Sequence, residues 1–371
     1  SPMSRGLGDV YKRQDMVLRR LQPLLADESI LKIGHNIKYD IKVLYKYKCY
    51  VNSFDDTMLM SHCINGGRQR HSLDSIAKDL LNHETIKLKD LIGSGKKELN
   101  FQNVPISLAA DYAAEDADMT FRAWKILKKE LIKQSVYSVY QNIDKPMVPV
   151  LIDAELKGIT VDKEQLRRLS KFFEKNLSEL ETKIFSIVGA EFNIASPKQL
   201  GEVLFEKLNL PGGKKNKSGG FQTGADILED LSAKGFEIAS YLLEWRKMSK
   251  LKSTYSDSLM LHINNYTGRV HTSFNLAGTS TGRLSSSEPN LQNIPIRDTE
   301  GKKIRETFIA KEGAELLSLD YNQIELRLLA HIADVKGLKD AFKNNIDIHA
   351  STASQIFKVA FEKVDASLRR K

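Results

Sequence analysis

Asp320 is a candidate metal ligand, because it lies between a predicted strand and a predicted helix. Residues 315–319 form an apolar run that predicts a buried strand, and the residues after Asp320 predict a helix that carries Glu325. A carboxylate at the end of a strand is held rigidly, and Mg²⁺ takes one or two protein carboxylates while leaving positions for phosphate oxygens. The pattern indicates metal-assisted phosphoryl transfer. The simpler alternative is that Asp320 only caps the helix that follows.

Two polar pairs, each spaced four residues apart, form a second candidate site. Asn36 precedes Asp40, and Tyr112 precedes Asp116. Residues four apart lie on one face of a helix, so the members of each pair can point in the same direction. The spacing alone is weak evidence, since such pairs occur by chance in many chains. The alternative is that Tyr112 packs in a core while Asp116 is an exposed helix charge.

Composition and charge exclude several classes of protein. The chain has 371 residues, of which 41% are hydrophobic and 28% are charged, and this argues against disorder. Two cysteines, Cys49 and Cys63, exclude a disulfide-stapled secreted domain and fit a reducing compartment. No apolar run approaches the roughly 20 residues of a membrane span. The net charge of +9 suits an anionic partner without identifying it.

The first half of the chain predicts a sheet layered with helices, because short apolar runs alternate with helical stretches over residues 15–135. The predicted elements are a strand at 30–33 and helices that start at 40 and cover 72–81 and 105–129. Two prolines interrupt the pattern between residues 141 and 149, so a linker is predicted at 136–146. Residues 1–14 show no helical or strand period and predict a non-native leader.

The second half begins with a predicted helix over 163–188, with Asp162 as its N-cap and an apolar stripe along one face. Residues 211–220 (PGGKKNKSGG) predict a basic loop. The further predicted elements are helices at 236–260, 323–333 and 349–357, and strands at 270–275, 307–310 and 316–320. This half is therefore predicted to be helical first and richer in strands afterwards.

Two long stretches of the second half resemble signature motifs of the family A DNA polymerases. They are LLSLDYNQIELRLLAH at 316–331 and TGRLSSSEPNLQNIP at 281–295. Shorter stretches, KLKSTY at 250–255, GRVHTSF at 268–274 and DIH at 347–349, are similar to further parts of the same family. The resemblance covers about residues 146–371. It implies a partial right-hand polymerase domain over 147–371, with a helical thumb, antiparallel palm strands and the start of the fingers. The implied bounds of these three parts are about 163–260, 261–335 and 336–371.

The resemblance implies a catalytic role for three residues of the palm. Asp320 would bind both metal ions, and the backbone carbonyl of Tyr321 would be a further ligand. Glu325 would exclude the ribose 2′-hydroxyl, so that the enzyme builds DNA rather than RNA. Two metal ions about 4 Å apart would supply most of the charge neutralisation that phosphoryl transfer requires.

The resemblance also implies contacts to DNA and to the incoming nucleotide. Arg283 would reach the minor-groove face of the primer-terminal base pair, where acceptors at every base pair let one Arg check shape without reading sequence. The other implied contacts are Gln292 and Asn293 to the template strand, Arg246, Lys250 and the loop 214–217 to the duplex backbone, and His349 and Arg369 to the triphosphate. Each of these assignments has a simpler alternative. Arg283, His349 and Arg369, taken singly, could be ordinary surface residues, and the lysines of the loop could be solvated without contacting DNA.

Stretches of the first half resemble the 3′–5′ proofreading exonuclease domain of the same polymerases, which has a ribonuclease-H-like fold. They are GHNIKYD at 34–40, FDDTM at 54–58, RHSLD at 70–74 and YAAEDAD at 112–118. Asp40 and Asp116 would then be metal ligands, and Tyr112 would orient the attacking water. Asn36 would support the aspartate of its own motif and the substrate.

The sequence departs from both family patterns. No Asp-x-Glu motif in a plausible strand precedes Asp40, and neither the His-Asp-Glu motif of the palm nor the Lys and aromatic residue of the fingers helix occurs. We therefore expect a fragment of a longer protein that is inactive in both reactions. Three smaller departures put local DNA contacts in doubt: Leu276 where Gln is common, Asn322 where Ser is usual, and Gln222 in a thumb segment that commonly reads Ser-Thr.

The resemblance thus implies a DNA-directed DNA polymerase that uses Mg²⁺, dNTPs and primer–template DNA and that proofreads. We expect a cytoplasmic, nucleoid-associated monomer without a membrane partner. Three alternatives stay open: a non-catalytic duplex-binding module, a phage replicative polymerase of the same family, and a ribonuclease-H-like nuclease. The motif at 281–295 disfavours the last, because a nuclease alone would not need it.

Overall fold

Two units of the chain, Ser1–Gly313 and Ala314–Lys371, each form a compact body in the computed structural model. The structure describes residues 2–95, 98–216, 219–296, 298–365 and 368, with side chains from residue 14 onward. Across these residues no helix has both the length and the apolar character to span a membrane.

The first half of unit one is a group of helices with a two-stranded parallel sheet. Its helices are α1 (Pro2–Ala26), α2 (Ile37–Tyr45), α3 (Thr57–Asn65), α4 (Leu73–Leu81), α5 (Leu88–Ile92), α6 (Ile106–Lys133), α7 (Tyr137–Val139) and α8 (Lys145–Lys157). Strand β1 (Lys32–Gly34) pairs with β2 (Phe54–Asp56), with Gly34 opposite Asp56. The predicted alternation of helix and strand is confirmed here, with the first strand placed two residues later than predicted.

Two segments of this half are helical where the sequence patterns predict otherwise. Helix α1 includes the segment predicted to lack a helical period. Extending a helix from the turns that follow costs little, because only its first turn is expensive to form. The helical pattern also does not break near residue 145. Wider turns over Tyr140–Asp144 lead into α8, with Pro146 in its first turn and Pro149 inside it. Burial of Tyr140 and Val148 in the core outweighs the low helix propensity of proline.

The second half of unit one contains a long helix whose predicted limits are confirmed. Helix α9 covers Lys163–Val188, and the Asp162 carboxylate accepts the Gln165 N–H at 2.9 Å, as an N-cap does. The apolar stripe of α9, including Leu166 and Phe173, is buried. The other helices are α10 (Pro197–Glu202), α11 (Ala225–Ala233), α12 (Glu237–Lys250), α13 (Ser258–Leu261) and α14 (Thr299–Arg305). A π-helical turn over Leu251–Asp257 joins α12 to α13.

The second half of unit one also contains two small antiparallel sheets, as the resemblance to a palm implies. Strand β3 (Ile159–Val161) lies between β4 (Arg269–Val270) and β7 (Phe308–Ile309). Strands β5 (Ser273–Asn275) and β6 (Ser285–Ser287) form a hairpin. Together with the layered first half, these sheets confirm the predicted mixture of an α/β part and an α+β part.

Unit two contains α15 (Ile324–Ile332), α16 (Lys336–Lys343) and α17 (Ile348–Phe357). The first and last agree with the predicted helices. The prediction of a strand that ends at Asp320 is wrong, since residues 314–320 are not in a strand and Leu317 is 82% exposed. An extended segment becomes a strand only when a neighbour pairs with its backbone, and no described strand pairs with these residues.

Candidate functional site

The start of α2 is held by a carboxylate that the sequence analysis did not single out. Asp56, which is 1% exposed, accepts the backbone N–H of Asn36 and of Ile37, each at 3.0 Å, and also that of Met58 at 2.9 Å. Asn36 is in the left-handed conformation, with φ 55°, just before α2. Asp56 therefore fixes the N-termini of both α2 and α3 and, through α2, the position of Asp40.

Asp40 lies on α2 one turn after Asn36, with its side chain exposed. Although water reaches this carboxylate, the protein atoms around it remove part of its hydration and raise its pKa above the ordinary 3.8. A carboxylate of this kind is accessible to a metal ion.

Tyr112 and Asp116 are brought together on α6. The Asp116 carboxylate lies close enough to the Tyr112 hydroxyl for its charge to act on it, and the centre of the Phe101 ring lies 6.3 Å from the centre of the Tyr112 ring. Partial burial is the main cause that raises the pKa of both groups, and the negative charge of Asp116 adds to the shift of Tyr112. The two side chains thus point in one direction, which is the arrangement that their spacing predicts.

Acidic and imidazole groups that were not among the predicted site residues surround this pair. The charge of Asp74 acts on both Tyr112 and Asp116, and its carboxylate accepts the Thr85 hydroxyl at 2.8 Å. The neighbouring Glu115 accepts His83 Nε2 at 2.7 Å. Asp74 lies in the stretch at 70–74 that resembles the exonuclease domain. This resemblance is the signal that could have identified it.

Within the described ranges no three or more His, Cys, Asp or Glu side chains are grouped so that they could hold a metal ion. Mg²⁺ does not need such a cage, because one or two carboxylates suffice where substrate phosphates and water complete its shell. The exposed Asp320 and Asp40 and the half-buried Asp116 fit that partial role.

Arg246 and Lys250 lie one turn apart on α12 and line one groove together with Trp245. The Arg246 guanidinium donates to the Thr223 carbonyl at 2.5 Å and to the Thr223 hydroxyl at 3.3 Å, and burial lowers its pKa. Lys250 is exposed. Arg246 is thus a cation fixed by its bonds to Thr223, and Lys250 is an exposed cation in the same groove, a combination that suits a phosphate backbone.

Arg283 is exposed on the loop between β5 and β6, and its backbone carbonyl accepts the Thr279 hydroxyl at 2.8 Å. Gln292 and Asn293 are exposed in the segment after β6. The Gln292 amide donates to the Leu284 carbonyl at 3.0 Å, so the side chain predicted to contact the template is folded back onto this loop.

The basic loop lies between α10 and α11. Lys214 and Lys215 are exposed, and the Lys215 ammonium lies 4.8 Å from the centre of the Phe221 ring. Lys217 is outside the described residues.

Unit two carries the other predicted catalytic residues at exposed positions. Asp320 and Tyr321 lie in the segment before α15, and Glu325 lies in its first turn. His349 is exposed in the first turn of α17, where its backbone N–H donates to the Asp347 carboxylate at 3.0 Å. Arg369, predicted to contact the triphosphate, lies outside the described residues.

A buried ion cluster, formed by Lys38, Lys42 and Glu155, was missed from the sequence. Glu155 on α8 is fully buried and pairs with both lysines of α2. It also accepts the Phe274 N–H at 2.8 Å, while Lys38 donates to the Phe274 carbonyl at 2.5 Å. A cavity of about 160 Å³ lies beside it, lined in part by Lys38, Lys42 and Phe274. No local pattern marks such a cluster, because Glu155 is more than 100 residues from either lysine.

Comparison with known proteins gives two family matches along the chain. Residues 163–371 match the family described as DNA polymerase family A, and residues 6–132 match the family described as 3′–5′ exonuclease. The two matches follow each other in the order predicted from the motifs.

Curated relatives named DNA polymerase I are similar to nearly the whole chain. That of Rhizobium leguminosarum is 48% identical over 366 residues, which are 99% of this chain and 36% of the relative. That of Pseudomonas aeruginosa is 44% identical over 361 residues, 96% of this chain and 40% of the relative. That of Treponema pallidum is 43% identical over 358 residues, 95% of this chain and 35% of the relative. The chain therefore spans between about a third and two fifths of the length of these relatives.

A solved structure with the same fold is the POL domain of Pol1 from M. smegmatis in complex with DNA primer-template and dNTP. Its TM-score is 0.83 at 33% identity, and the match covers 94% of this chain and 58% of that chain.

Proposed function

This chain belongs to DNA polymerase family A, and from this premise we propose that it is the primer–template-binding part of a DNA-directed DNA polymerase that also has a 3′–5′ proofreading exonuclease. The observation that carries the proposal is the presence of both family matches on one chain, exonuclease first and polymerase second. The partners are primer–template DNA and dNTPs, and the protein acts as a monomer at the nucleoid in the cytoplasm.

The metal-binding and nucleotide-binding roles of the polymerase fall on residues of unit two. Asp320 and the Tyr321 carbonyl bind Mg²⁺, and Glu325 tests the sugar of the incoming nucleotide. His349 and Arg369 contact its triphosphate. The exposure of Asp320, Glu325 and His349 supports these roles, because each must meet a ligand from solution. Mg²⁺ supplies the neutralisation of phosphate charge when it is bound.

The duplex is held by groups of unit one. Arg246, Lys250 and the loop at 214–217 contact the phosphate backbone, and the exposed Arg283 reaches the primer terminus. Gln292 and Asn293 contact the template strand. The adjacency of Arg246 and Lys250 in one groove supports this assignment.

The exonuclease roles fall on α2 and α6. Asp40 and Asp116 bind the metal ion, Tyr112 orients the attacking water, and Asn36 supports the site. The interaction of the Asp116 charge with the Tyr112 hydroxyl supports a shared role for these two side chains.

Reversing the charge of Lys250 tests the proposal. In Lys250→Glu we expect affinity for a labelled primer–template to fall about tenfold at low salt, and the slope of log affinity against log salt to become shallower by about one, since a phosphate contact is replaced by repulsion. Fluorescence anisotropy measures both quantities.

The matched control is Lys129→Glu, the same charge change at an exposed position of α6. It should leave the affinity within about twofold of the unaltered chain. Equal losses of affinity in both variants would mean that the effect of Lys250→Glu comes only from the change in net charge. That result would count against a DNA-binding site at Lys250.

A second candidate function is a non-catalytic duplex-binding module, which the presence of Arg246 and Lys250 in one groove favours. The 371 residues include Asp320, Asp40 and Asp116, but they contain neither a His-Asp-Glu motif nor an Asp-x-Glu motif before Asp40. We expect the purified chain, with Mg²⁺, to leave a labelled primer unchanged in length on a denaturing gel, with or without dNTPs. A primer that grows would show that Asp320 acts with a carboxylate outside the family pattern.

A further inference from the structure

The loop between β5 and β6, residues 276–284, carries Arg283 and lies against the first half of unit one. The His62 Nε2 on α3 donates to the Thr279 carbonyl at 2.9 Å. Leu276 and Ala277 pack against the hydrophobic core that α2, α3, α6 and α8 build. This contact gives the unusual Leu276 a structural role, since an apolar side chain fits that core where a Gln would not.

A short chain of hydrogen bonds joins His62 to Arg283. Thr279 receives the His62 bond at its carbonyl, and its hydroxyl donates to the Arg283 carbonyl at 2.8 Å. Both the Nε2–H tautomer and the protonated ring can donate to Thr279, so the bond does not depend on the charge of the ring. His62 and the backbone of Arg283 are therefore linked by hydrogen bonds through a single residue, Thr279.

The neighbourhood of His62 is itself fixed. His71 packs edge-on against it with ring centres 5.3 Å apart, and donates to the Gly66 carbonyl at 2.6 Å. In the turn that follows α3, Gly67 lies so close to Ser280 that an added Cβ would come within 2.3 Å of the Ser280 Cβ. The turn and the loop thus fit together only without a side chain at Gly67.

The base of the same hairpin is held from the same side. Phe274 on β5 is bonded through its N–H to Glu155 and through its carbonyl to Lys38. Both the strand that leads into the loop and the loop itself are therefore bonded to elements of the first half.

We propose that His62 is a positioning residue for Arg283, and that the first half of unit one thereby sets the geometry with which the loop 276–284 meets the primer terminus. The inference rests on the proposed function, because it assumes that Arg283 contacts DNA. It adds to that function a mechanical dependence of primer–template binding on a residue outside the polymerase half.

The test is a double-mutant cycle between His62 and Arg283, read as affinity for a labelled primer–template by fluorescence anisotropy. His62→Ala should weaken binding about fivefold, the scale of one lost hydrogen bond. His62→Gln, whose amide can donate to the same carbonyl, should recover affinity to within about twofold of the unaltered chain. His62→Ala added to Arg283→Ala should weaken binding no further than Arg283→Ala alone, because the first residue acts through the second.

Gly67→Ala provides an independent variant, since its methyl group would collide with Ser280 of the loop. We expect it to weaken binding about as much as His62→Ala does. The controls are His262→Ala, at an exposed position just after α13, and Gly337→Ala, where an added Cβ meets nothing within 4 Å. Both should bind like the unaltered chain. Urea unfolding midpoints equal to that of the unaltered chain would exclude general destabilisation as the cause of weaker binding.

The outcomes separate the inference from the function on which it rests. If Arg283→Ala weakens binding while His62→Ala and Gly67→Ala do not, the inference is overturned and the proposed function stands. Losses that multiply in the double mutant would also overturn it. If the unaltered chain shows no affinity for primer–template, the proposed function fails and takes the inference with it.

Discussion

Replacing Glu155 with alanine is expected to lower the free energy of unfolding by about 4 kcal/mol, because it leaves buried lysines without their counter-charge. The Glu155 side chain is fully buried, and those of Lys38 and Lys42 are only 11% and 27% exposed. The substitution also removes the acceptor of the Phe274 N–H. Urea unfolding followed by circular dichroism measures the loss.

The matched control is Asp153→Ala on the same helix. Asp153 pairs with Lys157 at 2.8 Å, but both side chains are more than 60% exposed, so the loss should stay below about 0.5 kcal/mol. Similar losses for the two substitutions would contradict the importance of burial in this cluster.

The stability that Glu155 contributes should depend on pH. Burial acts to raise the pKa of Glu155, but the bonds from Lys38, Lys42 and the Phe274 N–H together lower it below its ordinary 4.5. A lowered pKa in the folded state means that the contribution is present above pH 4.5 and is lost as the pH falls below that value. The difference between the unaltered chain and Glu155→Ala should therefore shrink on acidification.

Replacing Tyr140 with alanine is expected to cost about 4 kcal/mol, as for other large core aromatics. Tyr140 is 0% exposed in the core of the first half. Its hydroxyl donates to the Asp55 carboxylate at 3.0 Å and accepts the Asp56 N–H at 2.9 Å. Tyr140→Phe keeps the ring but leaves these buried groups without a partner, and should cost about 2 kcal/mol.

Tyr137 serves as the control for Tyr140. It lies one turn earlier and is 37% exposed, so Tyr137→Ala should cost less than about 1 kcal/mol. If Tyr140→Ala were equally mild, residues 136–146 would behave as a linker in solution, as the sequence pattern predicts.

Local signals predicted the parts of the fold that local interactions determine. Helix α9 has the predicted limits because its cap at Asp162 and its apolar stripe are both encoded within the helix itself. The pairing of Tyr112 with Asp116 followed from helical spacing in the same way.

Two of the predictions that differ from the structure involve distant partners. The prolines near residue 146 predicted a break, but the helix persists because Tyr140 packs on residues far away in sequence. The apolar run before Asp320 predicted a strand, but a strand requires a partner, and none of the described strands pairs with it. In both cases the outcome depends on contacts that a sequence window does not contain.

The same reason explains the residues that were missed at the candidate site. Glu155 meets Lys38 across 117 residues, and His62 meets Thr279 across 217. Each looks ordinary in its own segment. Their importance arises only when the two halves of unit one are packed together.

The salt dependence of primer–template binding by the 371-residue chain tests the central claim most directly. A labelled primer–template is titrated with the chain by fluorescence anisotropy at several salt concentrations. If the chain holds a duplex through Arg246, Lys250 and neighbouring cations, log affinity should fall linearly with log salt, with a slope of about −0.9 per phosphate neutralised. Failure to bind at low salt, or binding that salt leaves unchanged, would contradict the claim.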